Sequence, residues 1–175
     1  MDALYFLVDS VLTFAVYAFL LRVLLQLARA DFRNPLAQAV LALTNWLVMP
    51  LRRILPPVGR IDTASLVALA AVQLLATLIL FRLRTGALYP LLPLLVESLR
   101  SLALATLLLY TILIFVYAAL SFIAPGARSP ATVLLASLCE PVLRPLRQAL
   151  PVIGGIDFSP LVAIVGLTAL RILIG

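Results

Sequence analysis

Long apolar stretches without a charged residue dominate the chain. The two longest are Thr63 to Phe81, with 19 residues, and Ser101 to Ala127, with 27 residues. An α-helix rises 1.5 Å per residue, so each stretch is long enough to cross about 30 Å of hydrocarbon. We therefore predict that both stretches are transmembrane helices.

Two further stretches are nearly as apolar but contain charges. Ala3 to Ala28 contains Asp9 and Arg22, and Phe158 to Ile174 contains Arg171. These charges lie close enough to the ends of their stretches for the side chains to snorkel to the interface. The pattern predicts four transmembrane helices in all.

Between the predicted spans, two shorter helices have clear start signals. Asn34 and Ser129 are expected N-caps, and Pro35 and Pro130 follow at the first helical position. Proline is favoured there because its missing N–H would be unpaired anyway.

Proline also sets the predicted ends of these short helices. We expect the first to run to about Val48 and the second to Glu140, since Pro50 and Pro141 interrupt the backbone hydrogen bonding. Helices of 11 to 14 residues are too short to span a bilayer and would be interfacial or re-entrant. Trp46 favours the interfacial position, because an indole ring suits headgroup depth.

The chain contains an internal repeat with an offset of 95 residues. The segment PLRRILPPVGRID returns as PLRQALPVIGGID, without a gap. The repeated residues are Pro50, Arg52, Pro56, Gly59 and Asp62 in the first copy and Pro145, Arg147, Pro151, Gly154 and Asp157 in the second. A membrane composition does not explain ungapped matches at proline, glycine, arginine and aspartate.

The repeat predicts the organisation of the chain. Residues 1–86 form a first repeat, 87–98 an external connector and 99–175 a second repeat. Each repeat holds two spans and one short helix, so both enter the membrane from the same side and are parallel. The expected fold is an all-α membrane protein with four spans.

The positions that recur in both copies of the motif have expected structural roles. Pro50 and Pro56 end the short helix and fix the path of the chain, and Gly59 permits a tight turn. Asp62 stands where the next span begins, so its carboxylate can accept hydrogen bonds from the first-turn amides. Arg52, ten residues earlier, can fold back onto Asp62 and close the loop.

The second copy allows the same roles, with one competitor. Asp157 can cap the following span, although Ser159 and Pro160 form a competing cap and first-turn pair. Arg147 can close the loop onto Asp157. An alternative makes Asp62 and Asp157 a paired ion or proton site near the pseudo-twofold axis, since intramembrane carboxylates are often functional.

Composition supports the membrane interpretation. Of 175 residues, 65% are hydrophobic, and the mean hydropathy is +1.21. All 13 basic residues are arginine; eight lie in the two repeat loops and four on the other side. The positive-inside rule places the loops in the cytoplasm and the termini outside. The dispersed arginines suit anionic lipid headgroups, and no basic run suggests nucleic-acid binding.

Neither catalysis nor transport within one chain has much support in the sequence. There is no histidine, a single cysteine, Cys139, and no catalytic or metal-binding motif. We expect a protein that is not an enzyme and that holds no metal or cofactor. The secure spans offer few polar residues for a pathway, such as Gln73 and Thr77. Ala64, Ala68 and Ala71 give partner helices a close approach.

The doubled motif, preceded by Asn-Pro or Ser-Pro and a short apolar helix, resembles the YggT family of bacterial inner-membrane proteins, also called YlmG. The likeness covers essentially the whole chain, and its two-unit layout matches the proteobacterial form. The second copy departs from the first at Ser129 for Asn34, Gln148 for Arg53 and Gly155 for Arg60.

The resemblance implies a role in organising membrane components. Bacterial relatives are associated with osmotic stress tolerance or lie near cell-division genes, and plastid relatives are linked to cytochrome complex assembly. An assembly or scaffold factor that binds lipids and other membrane proteins is one hypothesis. The other is an oligomeric channel or small-solute transporter that responds to osmotic stress, which would require a homo-oligomer.

Overall fold

The computed structural model describes residues 2–57, 62–123, 126, 129–150 and 157–175. These residues form six α-helices and no strand. The helices are α1 (Asp2–Leu27), α2 (Pro35–Arg52), α3 (Thr63–Thr85), α4 (Leu91–Ile123), α5 (Pro130–Ala149) and α6 (Ser159–Ile174). The all-helical fold class is therefore confirmed.

Three helices of the described chain are long and apolar enough to cross a membrane. They cover Ala3–Leu27, Thr63–Thr85 and Leu91–Ile123. The fourth predicted span corresponds to α6, which is apolar but has 16 residues. At 1.5 Å per residue α6 is about 24 Å long, which is less than the hydrocarbon thickness of about 30 Å.

Both short helices begin where the sequence predicts. The Asn34 Oδ1 accepts a hydrogen bond from the Leu36 amide at 2.9 Å, one residue after Pro35 opens α2. Ser129 forms a capping box at the start of α5, because its Oγ accepts from the Thr132 amide while Thr132 Oγ1 accepts from the Ser129 amide. Capping of these exposed amides explains why α2 and α5 start at these residues.

The predicted ends of α2 and α5 are wrong, because both helices continue through their prolines. Helix α2 contains Pro50 and has 18 residues, and α5 contains Pro141 and Pro145 and has 20. A proline removes one helical hydrogen bond and strains the preceding turn. In α5, Cys139 before Pro141 and Leu143 after it are both fully buried. The burial of these two side chains offsets the cost of the proline.

The segment between the second and third spans is also largely helical. Helix α3 ends at Thr85 and is capped by Gly86, which has a positive φ of 71° and donates its amide to the Arg82 carbonyl. Helix α4 then starts at Leu91, so residues 91–98 of the expected connector are its first turns. Glu97 and Arg100 pair along this helix at 3.6 Å, as their spacing suggests.

The described helices divide into two compact units. The first contains Met1–Gln26 and Ala39–Ala103. Its core includes a stripe of small residues on α3, among them Ala64 and Ala68, which are completely buried. The expectation that Ala64 and Ala68 receive the helix of a partner protein is wrong, because this chain itself buries both residues.

The second unit contains Leu27–Gln38 and Leu104–Gly175. Its core joins α4, α5 and α6 through four buried side chains. They are Ile114, Cys139, Leu143 and Ala163. The spacing of Cys139 and Leu143 puts one face of α5 against α4 and α6.

Candidate functional site

In the first unit, Arg52 and Asp62 form the loop-closing pair that the motif suggests. Arg52 donates from Nε to Asp62 Oδ2 at 3.1 Å and also donates from Nη2 to the same oxygen. Helix α2 positions the arginine in its last turn, and the aspartate immediately precedes α3. The pair therefore ties the end of one helix to the start of the next.

Asp62 does not use its carboxylate as a helix cap, so that expectation is wrong. It occupies the N-cap position of α3, but its side chain accepts no hydrogen bond from a first-turn amide. The backbone carbonyl of Asp62 accepts from Ser65 N at 3.0 Å, and Oδ2 accepts from Ser65 Oγ at 2.7 Å. The carboxylate is drawn towards side chains because Arg52 is a stronger, charged donor.

Arg22 extends this network into the first span. Only 2% of the residue is exposed. Its Nε donates to Ser65 Oγ at 3.0 Å, and its Nη1 donates to Thr44 Oγ1 at 2.7 Å and to Asn45 Oδ1 at 2.8 Å. The prediction that Arg22 snorkels to the interface is wrong, because three oxygens inside the unit satisfy it.

The first unit thus holds a connected polar network with an excess of positive charge. Two guanidinium groups, those of Arg22 and Arg52, share the single carboxylate of Asp62 through direct contact or through Ser65. Sequence reasoning found the Arg52 pair but missed Arg22. The sequence signal that could have indicated a buried Arg22 is the pair of polar residues Thr44 and Asn45 on α2, which both accept hydrogen bonds from it.

The second unit contains the corresponding pair in a different setting. Arg147 donates from Nε to Asp157 Oδ2 at 2.8 Å and from Nη1 to Glu140 Oε2 at 3.0 Å. Asp157 Oδ1 accepts from the Ser159 amide at 2.9 Å, so this carboxylate does serve the first turn of α6. The N-cap position itself belongs to Phe158. Here one guanidinium faces two carboxylates.

The repeat offset of 95 residues relates the two networks. Arg22 in the first copy corresponds to Tyr117, whose ring centroid lies 6.0 Å from the Arg147 guanidinium carbon. Asn45 corresponds to Glu140. Both copies keep the Arg–Asp pair. The replacement of Arg22 by Tyr117 and of Asn45 by Glu140 changes the net charge of the network from positive to negative.

The remaining motif residues have mixed outcomes. Pro50 and Pro145 lie inside α2 and α5. The Pro56 carbonyl accepts from Thr63 Oγ1 at 2.8 Å, which adds a second tie between the motif and the start of α3. Gly59, Pro151 and Gly154 lie outside the described residues.

Burial and hydrogen bonding act in opposite directions on the two aspartates. Burial opposes ionisation of Asp62, but hydrogen bonds from Arg52 and Ser65 outweigh it and lower the pKa of Asp62. Burial likewise opposes ionisation of Asp157, and hydrogen bonds from Ser159 and Arg147 lower its pKa on balance. Both carboxylates are therefore ionised at neutral pH.

The pKa of the buried Cys139 thiol is shifted upwards, in contrast to the lowered pKa values of the two aspartates. Burial raises the pKa of its thiol to about 12, and the nearby charge of Arg147 counteracts this only in part. Among the described residues, no group of three or more His, Cys, Asp or Glu side chains could hold a metal ion. The described contacts of the two polar networks are ion pairs and hydrogen bonds.

Both networks lie within segments shared with known proteins. The family model described as CCB3/YggT matches residues 1–83 and 96–175. The chain belongs to the CCB3/YggT family. The first matched segment contains the Arg22 network, and the second contains the Arg147 network.

Individual relatives are similar to this chain over most of its length. Uncharacterized protein YggT of Escherichia coli K12 is 37% identical over 166 residues, which is 94% of this chain and 85% of the relative. An uncharacterized protein of Pseudomonas aeruginosa is 37% identical over 156 residues, or 89% of this chain and 79% of the relative. No solved structure matches the chain.

Proposed function

We propose that this CCB3/YggT family member is a bacterial inner-membrane protein that assists the assembly of other membrane proteins, in a process linked to osmotic stress tolerance or cell division. One observation carries the proposal: Gln73, Thr77 and Thr111 form hydrogen bonds within their own helices, and the spans present exposed apolar faces. Such a surface suits lateral binding of other helices better than conduction of solutes.

The polar residues of the two secure spans illustrate this local satisfaction. Gln73 donates from Nε2 to Thr77 Oγ1 at 3.2 Å, and Thr77 Oγ1 donates to the Gln73 carbonyl at 3.0 Å. Thr111 donates to the Leu107 carbonyl at 2.8 Å in α4. A conduction path needs polar groups that face a water-filled passage. These hydroxyls are committed to their own helices instead.

The outward faces of the spans provide the surface for partner helices. On α4, Leu99, Ile112 and Phe115 are exposed apolar residues, while Ile114 is fully buried in the second unit. In a bilayer such faces contact lipid tails or neighbouring proteins, and helix association depends on packing and interhelical hydrogen bonds. We assign the binding of partner membrane proteins to these faces.

The proposed arrangement in the membrane has four spans in two parallel repeats, with α6 as the fourth. A short span can be accommodated by local bilayer thinning and by snorkelling of Arg171. Helices α2 and α5 would lie at the cytoplasmic interface, and both termini would be periplasmic. Labelling of single cysteines from outside the cell tests this: labelling near Trp46 in intact cells would contradict it.

Photo-crosslinking in living cells tests the assembly role. A crosslinking amino acid replaces Phe115 on the outward face of α4, and replacement of Ile114, its buried neighbour, is the matched control. The proposal expects discrete products with one or more different membrane proteins from position 115 and none from position 114. Products containing only this chain would contradict the assembly role.

Solute flux separates the assembly role from the alternative of an oligomeric channel or transporter. Purified protein in liposomes is tested with potassium, sodium and compatible solutes under an osmotic gradient. The assembly role expects flux equal to that of protein-free liposomes. Protein-dependent flux would instead support the channel.

A further inference from the structure

We propose that the first unit binds the phosphate of an anionic lipid at Arg52 and Arg53, where α2 ends, and that the second unit has lost this site. The ligand chemistry is a phosphodiester anion, and its source is the bilayer surface. The inference requires only that the chain lies in a membrane, so it is independent of the assembly role.

The first step is the uncompensated charge of the first network. Arg22 is buried, and within the part of the chain that the structure describes it donates to neutral oxygens alone, those of Thr44, Asn45 and Ser65. Asp62 must serve both Arg52 directly and Arg22 through Ser65. A buried charge without a full counter-charge is costly, so the network favours an additional anion at its accessible side.

The accessible side of the network is Arg52. Its side chain is 53% exposed, whereas that of Asp62 is 11% exposed. Nε and Nη2 of Arg52 are bound to Asp62, and among the described residues nothing is bonded to its Nη1. Arg53 follows directly and is exposed. Two adjacent exposed guanidiniums are suited to phosphate oxygens.

The second step is the depth at which these arginines lie. Trp46 on α2 is 69% exposed, with Leu43 and Met49 exposed on the same side of the helix. Such a face is expected at the headgroup boundary. Arg52 is six residues further along α2, about 9 Å along the helix axis. The guanidiniums are therefore within reach of the phosphate layer.

The second unit provides the internal comparison. Gln148 stands at the position of Arg53, and Glu140 at the position of Asn45. Arg147 is held by both Glu140 and Asp157. One guanidinium between two carboxylates carries net negative charge, which would repel a phosphate. The two copies thus share a fold motif but differ in the ligand they can accept.

Trp46 is the only tryptophan of the chain and is a built-in reporter for the first unit. The full-length protein is reconstituted in phosphatidylcholine vesicles that contain either brominated phosphatidylglycerol or brominated phosphatidylcholine at equal mole fraction. Bromine quenches indole fluorescence on contact. We expect stronger quenching by the brominated phosphatidylglycerol, and we expect added salt to weaken this preference.

The variant Arg53→Gln copies the residue of the second unit and leaves the Arg52–Asp62 pair in place. One arginine near an anionic surface contributes about a fivefold change in lipid affinity, so the relative binding constant for phosphatidylglycerol obtained from the quenching should fall about fivefold. The matched control is Arg144→Gln, which removes an exposed arginine from α5 in the second unit. It should leave the preference unchanged.

Three results would overturn the proposal. Equal quenching of the intact protein by the two brominated lipids would mean that no anionic lipid is selected, whatever the variants do. Equal losses in Arg53→Gln and Arg144→Gln would reduce the effect to general charge attraction. Relief of quenching by inorganic phosphate, beyond that by chloride at the same ionic strength, would identify free phosphate as the ligand.

Discussion

Arg22 and Ser65 are 43 positions apart in the sequence, yet the Nε of the arginine donates to the Oγ of the serine at 3.0 Å. This bond joins the last turns of α1 to the first turn of α3. Ser65 in turn donates to Asp62. Ser65 therefore links the Arg52–Asp62 pair to Arg22 on α1. The repeated motif is thus connected to the spans through a residue outside the motif.

Replacing Arg22 should destabilise the first unit strongly. Arg22→Met keeps much of the side-chain volume but removes three donors from a buried network, and we expect a loss of about 3 kcal/mol in the free energy of unfolding. The measurement is a denaturant titration in detergent followed by circular dichroism. Arg144→Gln, an exposed change, should stay within about 0.5 kcal/mol. A loss for Arg22→Met no larger than for this control would contradict the network's structural role.

The sequence predicted those features that depend on near neighbours in the chain. Asn34 and Ser129 start their helices because caps and first-turn prolines act within four residues. The Arg52–Asp62 pair could be predicted because ten residues and a proline-rich turn separate its members. The repeat then carried the same prediction to Arg147 and Asp157.

The sequence could not predict features that depend on what another helix contributes. Whether Arg22 snorkels or turns inward is decided by Thr44, Asn45 and Ser65, which no local pattern links to it. Helix α5 continues past Pro141 because Leu143 packs into the core beyond it, and that burial offsets the local cost. The orientation of the Asp62 side chain is likewise determined by Arg52 and Ser65, and not by its N-cap position.

The two aspartates of the motif should differ in their contribution to stability. Asp62→Asn removes the charge from an oxygen that accepts three hydrogen bonds at a nearly buried site, so we expect a loss of about 2 kcal/mol. Asp157→Asn acts at a side chain that is 39% exposed, and its ion pair is worth less than about 1 kcal/mol. Parallel denaturant titrations of the two variants compare them directly. Equal losses would contradict the difference in burial.

Stability should fall in acid through the same two carboxylates. Their pKa values in the folded protein are lowered, so the unfolded state binds more protons than the folded state as the pH drops. The stabilisation is complete above the unfolded pKa of about 3.9 and is lost as the pH falls through the lowered folded values. Unfolding curves measured from pH 6 downwards should show this decline below about pH 4. The double variant Asp62→Asn with Asp157→Asn should have a flatter profile, and an unchanged slope would contradict the assignment.

The thiol of Cys139 should be unreactive in the folded protein. It is completely buried, and its pKa of about 12 leaves almost no thiolate at pH 8. Because the unfolded thiol ionises near pH 8.5, this group also reduces stability as the pH rises from there towards 12. A maleimide reagent applied at pH 8 should label the denatured protein and leave the folded protein unmodified, as followed by mass spectrometry. The positive control combines Cys139→Ala with Gln148→Cys, which presents a thiol at an exposed position of the same helix and should be labelled in the folded state. Labelling of Cys139 in folded protein at a rate similar to that control would show that the core around Ile114, Leu143 and Ala163 does not exclude solvent.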